Sequence, residues 1–114
     1  MTDRLAGRVA LIVGAARGIG AGIAERFVEA GARVMIADTE AEAGAATAAA
    51  LSGRFVATDI SRKHDAERAV AETLAAFGAL DIVVQNAGIY PWSLIENIEP
   101  EEWDAMLGVN LRGT

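Results

Sequence analysis

A glycine-rich segment near the amino terminus, residues 14–20 with the sequence GAARGIG, constrains the fold more than any other part of the chain. It follows an apolar run at 9–13 and leads into a helical pattern of apolar residues that begins at Ile19. A strand that turns through glycines into a helix directs free backbone N–H groups and the positive end of the helix dipole at one point. The segment therefore predicts a phosphate-binding turn.

Each glycine of this segment has an expected structural role. We expect Gly14 to take the tight turn, Gly18 to let the backbone approach an anion closely, and Gly20 to let the helix lie near the strand. Arg17 and Ile19 stand between them at the start of the helix. Glycine spacing alone is a weak signal, and the strand, helix and second strand around it strengthen the prediction.

Short apolar runs and helical patterns alternate along the rest of the chain. The predicted strands are 9–13, 33–37, 54–58 and 80–85, and the predicted helices are 19–30, 40–51, 61–77 and one that begins at Pro100. The strands show little polar alternation, which is typical of strands covered on both faces. This order predicts a doubly wound, Rossmann-type α/β fold with a parallel sheet in the order 3-2-1-4, helices on both faces, and ligands bound at the carboxyl ends of the strands.

Local sequence signals predict where the helices begin and end and which side chains they bury. Gly31 is expected as a left-handed cap after the first helix, and Ser61 as the N-cap of the third. Periodicity predicts that the third helix buries Ala66, Ala69, Val70, Thr73, Leu74 and Phe77, and that the last helix buries Trp103, Met106 and Leu107.

Composition narrows the possible functions. The 114 residues suit one domain, and the absence of cysteine excludes a disulfide framework or a thiolate metal site. The net charge of -6 argues against a nucleic-acid partner. No apolar run is long enough for a membrane span, and the charged start lacks a signal-peptide core, so we expect a cytoplasmic protein.

Four motifs resemble those of the short-chain dehydrogenase/reductase family, in order and spacing. Residues 13–20 resemble the family's Thr-Gly-x-x-x-Gly-x-Gly loop. Later family motifs are matched by Asp59 and Ile60, by Asn86, Ala87 and Gly88, and by Asn110. The resemblance covers the whole chain and implies an NAD(P)-dependent oxidoreductase that transfers hydride between nicotinamide and an alcohol or ketone. It also implies a homo-oligomer in the full-length form.

The chain departs from the family pattern in two ways. Val13 stands where the family has the threonine whose hydroxyl ties the loop to the neighbouring strand. The family's catalytic serine and Tyr-x-x-x-Lys pair lie beyond Thr114, and no lysine follows Tyr90 by four residues. The sequence therefore resembles the amino-terminal half of a family member, a Rossmann domain truncated after the start of the helix that follows the fourth strand. This half supplies the adenosine and pyrophosphate end of the cofactor site and is expected to be inactive alone.

Asp38, at the end of the second strand, decides the expected cofactor. A carboxylate there accepts hydrogen bonds from the ribose hydroxyls of NAD and repels the 2′-phosphate of NADP. Arg17 points the other way, because the resemblance associates a basic residue in the glycine loop with NADP. We give Asp38 more weight, since unpaired like charges are costly in a partly desolvated site. The alternative is that Asp38 only begins the turn into the next helix.

The motifs after the third and fourth strands also have two interpretations each. By resemblance, the Asp59 carboxylate and the Ile60 N–H would hold adenine, and Asn86, Ala87 and Gly88 would let the backbone pass close to the cofactor. The alternative at both places is a turn at a strand end.

The remaining candidates are less specific. Asn110 resembles the family's catalytic asparagine, and the alternative is an asparagine that kinks the last helix. Tyr90, Pro91 and Trp92 either border a substrate pocket or cover the sheet edge, with an aryl or cyclic alcohol and a 3-oxoacyl thioester as equal substrate candidates. His64 is expected in solvent, and no metal site is predicted.

Two other functions remain open at this point. One is a non-catalytic nucleotide-binding module, which needs no tyrosine, serine and lysine. The other is a half-domain that associates with itself through the open edge of its fourth strand.

Overall fold

Four parallel strands form one sheet in the computed structural model, which describes residues 3–90 and 94–114. The strands are β1 (Val9–Val13), β2 (Arg33–Asp38), β3 (Arg54–Ala57) and β4 (Ile82–Gln85). They are hydrogen-bonded in the order β3-β2-β1-β4, which confirms the predicted topology. The strands β2 and β3 lie on one side of β1, and β4 lies on its other side. The crevice between β1 and β4 is where an open α/β sheet binds its ligands.

Helices follow every strand. They are α1 (Gly18–Glu29), α2 (Ala41–Ala50), α3 (Lys63–Phe77) and α4 (Pro100–Leu107). A short 3-10 turn (Ile95–Asn97) precedes α4, and a π-helical turn (Gly108–Arg112) continues it. Gly31 follows α1 with φ +98°, as expected of a left-handed cap. Within the described residues, no helix has the length and apolar character needed to cross a membrane.

Both faces of the sheet are covered, and this explains the near-continuous apolar strands. Ile12 and Ile36, paired across β1 and β2, are fully buried in the core that α1 and α2 complete. Leu11 and Met35, the preceding pair, are buried in the opposite core with Ala69 of α3. Burial of each such side chain contributes about 1.5–3 kcal/mol, so the central strands set the stability of the sheet.

The third helix begins two residues later than predicted, and Ser61 is not its N-cap. Arg62 occupies the N-cap position and makes no side-chain cap hydrogen bond. The Ser61 hydroxyl instead donates to Asp59 Oδ1 at 2.6 Å. Asp65, in the first turn of α3, accepts from the backbone N–H of Asp59 at 2.8 Å. Because the Ser61 hydroxyl bonds to Asp59 in the turn before α3, it does not cap the helix.

The predicted buried faces of α3 and α4 are partly wrong. Ala69 and Thr73 are buried, whereas Val70 and Leu74 are 39% and 46% exposed. On α4, Trp103 is 57% exposed and Leu107 is 44% exposed. Periodicity identifies an apolar stripe on a helix, but it does not say how much of that stripe the neighbouring elements cover.

Candidate functional site

A cavity of about 440 Å³ opens at the carboxyl ends of the strands, beside the turn that follows β1. Its lining contains Val13, Gly14, Arg17, Asp38, Thr39, Glu40, Thr58, Asp59, Ile60, Asn86, Ala87, Gly88, Ile89, Tyr90 and Val109. Most of the residues proposed from the sequence as cofactor contacts are among them. Gly18, Ile19 and Gly20 begin α1 next to this cavity, and Asn110 lies outside its lining.

Gly14 makes the turn out of β1 that brings the chain close to the end of β4. Its φ is +84°, a left-handed value that favours glycine. Its N–H donates to the Ala37 carbonyl at 2.7 Å, which holds the turn against β2. A Cβ at Gly14 would lie 2.6 Å from Ala87 Cα, so no side chain fits between the two backbones. The tight turn expected of Gly14 is present.

The amino terminus of α1 is held against this turn by Gly20. A Cβ at Gly20 would lie 2.1 Å from the Gly14 carbonyl oxygen and 2.9 Å from Asn86 Nδ2. Gly18 starts the helix with φ +63° and faces open space. The side chain of Ile19 is 77% exposed. The close packing of helix and strand expected of Gly20 is therefore present, whereas the approach of the backbone to an anion at Gly18 stays a prediction.

The first turn of α1 has the electrostatics of an anion site. Its N-cap, Arg17, has an extended backbone and makes no side-chain cap hydrogen bond, and no acidic residue lies in the first turn. The free N–H groups of the turn are thus not used by a capping side chain. They add to the positive end of the helix dipole, which favours a phosphate group.

Asp38 joins the glycine turn to the start of α2. Its Oδ2 accepts from the Ala16 N–H, and its Oδ1 accepts from the Glu40 N–H, both at 3.0 Å. The carboxylate therefore lies at the cavity, beside the glycine turn. The bond to Glu40 closes the turn after β2, which agrees with the turn-forming interpretation of Asp38, and a contact with a ribose stays a prediction.

Thr47 also holds the glycine turn in place, and the sequence did not predict this role. Its hydroxyl donates to the Ala16 carbonyl at 2.6 Å, so both backbone polar groups of Ala16 are held by side chains of other elements. Thr47 is the one hydroxyl residue in the alanine-rich helix α2. A single hydroxyl side chain in an otherwise apolar helix is a weak sequence signal for such a contact.

The Arg17 guanidinium does not extend freely from the glycine turn. It donates to Glu40 Oε1 across the mouth of the cavity. Both side chains are well exposed, at 68% and 49%. Sequence reasoning weighed Arg17 against Asp38 and did not identify Glu40 as the partner of Arg17.

Asp59 is held by the turn that follows β3. Its Oδ1 accepts from the Ser61 N–H at 3.1 Å as well as from the Ser61 hydroxyl, and Arg62 Nε donates to its Oδ2 at 3.3 Å. The Ser61 hydroxyl, followed by the Ser61 N–H and Arg62, holds the pKa of Asp59 below its ordinary value of 3.8 although partial burial opposes the shift. The turn-forming interpretation of Asp59 is confirmed, and an adenine contact stays a prediction for Asp59 and Ile60.

This shift predicts that stability depends on Ser61 only when Asp59 is ionised. A lowered folded-state pKa adds stability above the unfolded value and loses it as pH falls through the folded value. We expect the stability difference between wild type and Ser61→Ala, measured by urea unfolding of the full chain, to shrink as pH falls through the ordinary value of 3.8 and then through the lowered pKa of the folded state. In an Asp59→Asn background the difference should not change with pH. A pH-dependent difference in that background would contradict the assignment.

The Asn86 side chain makes a hydrogen bond to the glycine turn, whereas the apolar side chain of Val13 cannot. The Asn86 N–H donates to the Val13 carbonyl at 3.0 Å, and the side-chain Nδ2 of Asn86 donates to the Gly14 carbonyl at 3.2 Å. These bonds connect the end of β4 to the glycine turn. Ala87 and Gly88 then line the cavity with little side-chain bulk. Asn86 therefore has a structural role, and contact with a cofactor stays a prediction for Asn86, Ala87 and Gly88.

Asn110 fastens the segment after β4 to the last helix. Its Oδ1 accepts from the Ile89 N–H at 2.8 Å, and its Nδ2 donates to the Ile89 carbonyl at 2.7 Å. It lies in the π-helical turn after α4, which agrees with the interpretation of a distorted helix at this residue. A catalytic role for Asn110 stays a prediction.

The remaining candidates are peripheral. Tyr90 lines the cavity and is 89% exposed, whereas Pro91 and Trp92 lie outside the described residues. His64 is exposed at the start of α3. Across residues 3–90 and 94–114, no three side chains of His, Cys, Asp or Glu are grouped as metal ligands would be.

The parallel sheet, its strand order and the glycine turn into α1 define a Rossmann-type α/β protein. Residues 8–114 match the family model described as short chain dehydrogenase. The chain belongs to the short-chain dehydrogenase/reductase family, which confirms the resemblance predicted from its motifs.

Relatives of this chain include enzymes named for different substrates and cofactors. The chain is 42% identical over 113 residues to sorbitol dehydrogenase of Cereibacter sphaeroides, and the alignment covers 97% of this chain and 44% of that protein. It is 42% identical over 117 residues to an NADP-dependent (R)-specific alcohol dehydrogenase of Lentilactobacillus kefiri, covering 99% of this chain and 46% of that protein.

A solved structure is similar over almost all of this chain. It is a 3-ketoacyl-(acyl-carrier-protein) reductase from Brucella melitensis complexed with NADH, with 44% identity and a TM-score of 0.91. The likeness covers 96% of this chain and 46% of that one. The chain thus spans less than half the length of each of these three relatives.

Proposed function

We propose that this chain provides the adenosine and pyrophosphate end of the cofactor site in an NAD-dependent oxidoreductase. The reaction is hydride transfer between nicotinamide C4 and the oxygen-bearing carbon of the substrate, the carbinol carbon of an alcohol or the carbonyl carbon of a ketone. The substrate oxygen loses a proton in oxidation and gains one in reduction. Family membership supports the reaction class, and the names of the relatives, two dehydrogenases and a reductase complexed with NADH, agree with it. The substrate proposed here is a small alcohol or ketone, with cyclic alcohols and 3-oxoacyl thioesters as the first candidates.

The observation that carries the proposal is the position of Asp38 beside the glycine turn. Free N–H groups at the start of α1 would bind the pyrophosphate, while the Asp38 carboxylate, one element away, would accept from the adenosine ribose hydroxyls. Each Asp38 oxygen already accepts one backbone N–H and keeps a second acceptor site. The carboxylate is thus preorganised for hydroxyl donors.

The proposed roles of the other residues follow from their places around the cavity. Asp59 and Ile60 would border the adenine, and Ala87 and Gly88 would let the dinucleotide pass close to the end of β4. The nicotinamide cofactor supplies the hydride chemistry when bound. The described residues bind and orient its adenosine end, and residues 1–114 alone are proposed to lack turnover.

Preference for NAD over NADP is expected from the charges of the lining. Asp38, Glu40 and Asp59 are acidic, and Arg17 is paired with Glu40. A 2′-phosphate beside Asp38 would add like charge in a partly desolvated site. We expect calorimetric titration of the full chain to give at least about tenfold tighter binding of NAD than of NADP, equal to about 1.4 kcal/mol.

A longer protein that also contains the family's serine and Tyr-x-x-x-Lys pair should oxidise or reduce members of a panel of polyols, cyclic alcohols and 3-oxoacyl thioesters, followed by NADH absorbance, whereas residues 1–114 alone should not. Tighter binding of NADP than of NAD would contradict the cofactor assignment. Failure to bind either dinucleotide would overturn the proposed function. Tight NAD binding by that longer protein without turnover on any substrate would favour the alternative of a non-catalytic nucleotide-binding module.

A further inference from the structure

The ion pair between Arg17 and Glu40 occupies the place where cofactor choice would be made. Arg17 is the one basic residue in the described lining of the cavity, and Asp38 lies in the same lining. The guanidinium donates to Glu40 Oε1, so its charge is balanced by a carboxylate of the neighbouring loop. Asp38, Glu40 and Arg17 together carry one net negative charge.

We propose that Glu40 is a specificity-determining residue that excludes NADP by neutralising Arg17. The inference rests on the proposed function of the cavity as a dinucleotide site. With Glu40 in place, the guanidinium is engaged and a 2′-phosphate meets the unbalanced charge of Asp38. Without the Glu40 carboxylate, Arg17 becomes free to bind the phosphate, for which its planar donor fork is well suited.

The backbone around Glu40 positions its carboxylate for this role. The Glu40 N–H donates to Asp38 Oδ1 at 3.0 Å, so the residue that faces the ribose also orients Glu40. Glu40 is the N-cap of α2, yet its side chain makes no cap hydrogen bond with that helix. An acceptor at an N-cap ordinarily satisfies first-turn N–H groups. Here the carboxylate instead turns toward Arg17 on the glycine turn.

The exposure of the Arg17–Glu40 pair distinguishes a role in cofactor choice from a role in folding stability. Both side chains are well exposed, and exposed ion pairs contribute little to folding stability. Loss of the Glu40 carboxylate should therefore leave the unfolding midpoint almost unchanged. Its effect should appear instead in the ratio of NADP to NAD affinity, where a purely structural pair would change nothing.

The test measures NAD and NADP affinity of the full chain by calorimetry in four variants. Glu40→Gln is expected to strengthen NADP binding about tenfold, with a much smaller change for NAD, since exposed charge pairs near a surface interact at this order. In an Arg17→Gln background the same substitution should change NADP affinity less than about twofold. Glu42→Gln makes the same charge change in the first turn of α2, at a residue that lies near Arg17 but is not its ion-pair partner. It is the matched control and should give a clearly smaller gain.

Three outcomes would overturn the proposal, and they are distinguishable. If Glu40→Gln leaves the ratio of NADP to NAD affinity unchanged while wild type still binds NAD, the role of Glu40 is refuted and the proposed function is not. An equal gain for Glu42→Gln, or an equal gain in the Arg17→Gln background, would show that net charge rather than Arg17 is responsible. Wild type that binds neither dinucleotide would refute the proposed function as well.

Discussion

Replacement of Gly20 by alanine is expected to weaken dinucleotide binding about a hundredfold, because the loss of one or two hydrogen bonds to a charged phosphate costs about 1.5–3 kcal/mol each. The added Cβ would lie 2.1 Å from the Gly14 carbonyl oxygen and 2.9 Å from Ala15 Cα. Both are backbone atoms of the glycine turn, so either the turn or the start of α1 must move. The free N–H groups would then no longer converge on one point.

The same variant should also be less stable. Overpacking of this kind costs about 1–3 kcal/mol, which denaturant unfolding of the full chain would measure. Gly22→Ala is the matched control, because it lies in the same helix and its Cβ would meet nothing within 4 Å. It should leave affinity unchanged and raise stability by about 0.5–1 kcal/mol. Gly20→Ala that binds NAD as wild type does would refute the role of close packing at the turn.

Replacement of Asp38 by asparagine is expected to reduce NAD affinity about a hundredfold and to reduce NADP affinity much less. Both Asp38 oxygens accept backbone N–H groups, from Ala16 and from Glu40. An asparagine amide would present its NH₂ group to one of these donors, in either orientation. Loss of hydrogen bonds to a charged acceptor costs about 1.5–3 kcal/mol each. Removal of the negative charge offsets part of this loss for NADP alone.

The control for Asp38 is a carboxylate with a similar backbone contact at the amino ends of the strands, away from the cavity. Asp81, just before β4, accepts the Val9 N–H at 2.8 Å. Asp81→Asn should lower stability to a similar extent and leave the affinities for both dinucleotides unchanged. Calorimetric titration of wild type and both variants gives the comparison. If Asp38→Asn changes NAD and NADP affinity by the same factor, Asp38 does not distinguish the cofactors.

The strands and their order could be predicted because their signals are local. Apolar runs such as 33–37 lack alternation when both faces of a strand are covered, as the burial of Met35 and Ile36 shows. The right-handed crossover rule then leaves few arrangements of four strands. Likewise, Gly14 was expected to take the tight turn and Gly20 to let the helix lie near the strand, since no other residue lacks a Cβ.

The contacts of the candidate site could not be predicted in the same way. Thr47 reaches Ala16, and Asn110 reaches Ile89, across 31 and 21 residues of chain. No periodic pattern encodes such a pair, because it depends on where two separate elements end in space. The exposure of Leu74 was unpredictable for a related reason, since burial depends on what lies opposite the helix.

The amino-acid sequence by itself determined the fold class, the strand order and the turn into α1, because each follows from short patterns of burial and backbone freedom. Its motifs also carried the resemblance to the family. Only the tertiary structure decided how the side chains at the cavity are paired. Asp38 orders the loops on both sides of it, and Glu40 neutralises Arg17. Such pairings depend on distances of a few ångströms between elements, and the packing of helices on the sheet sets those distances.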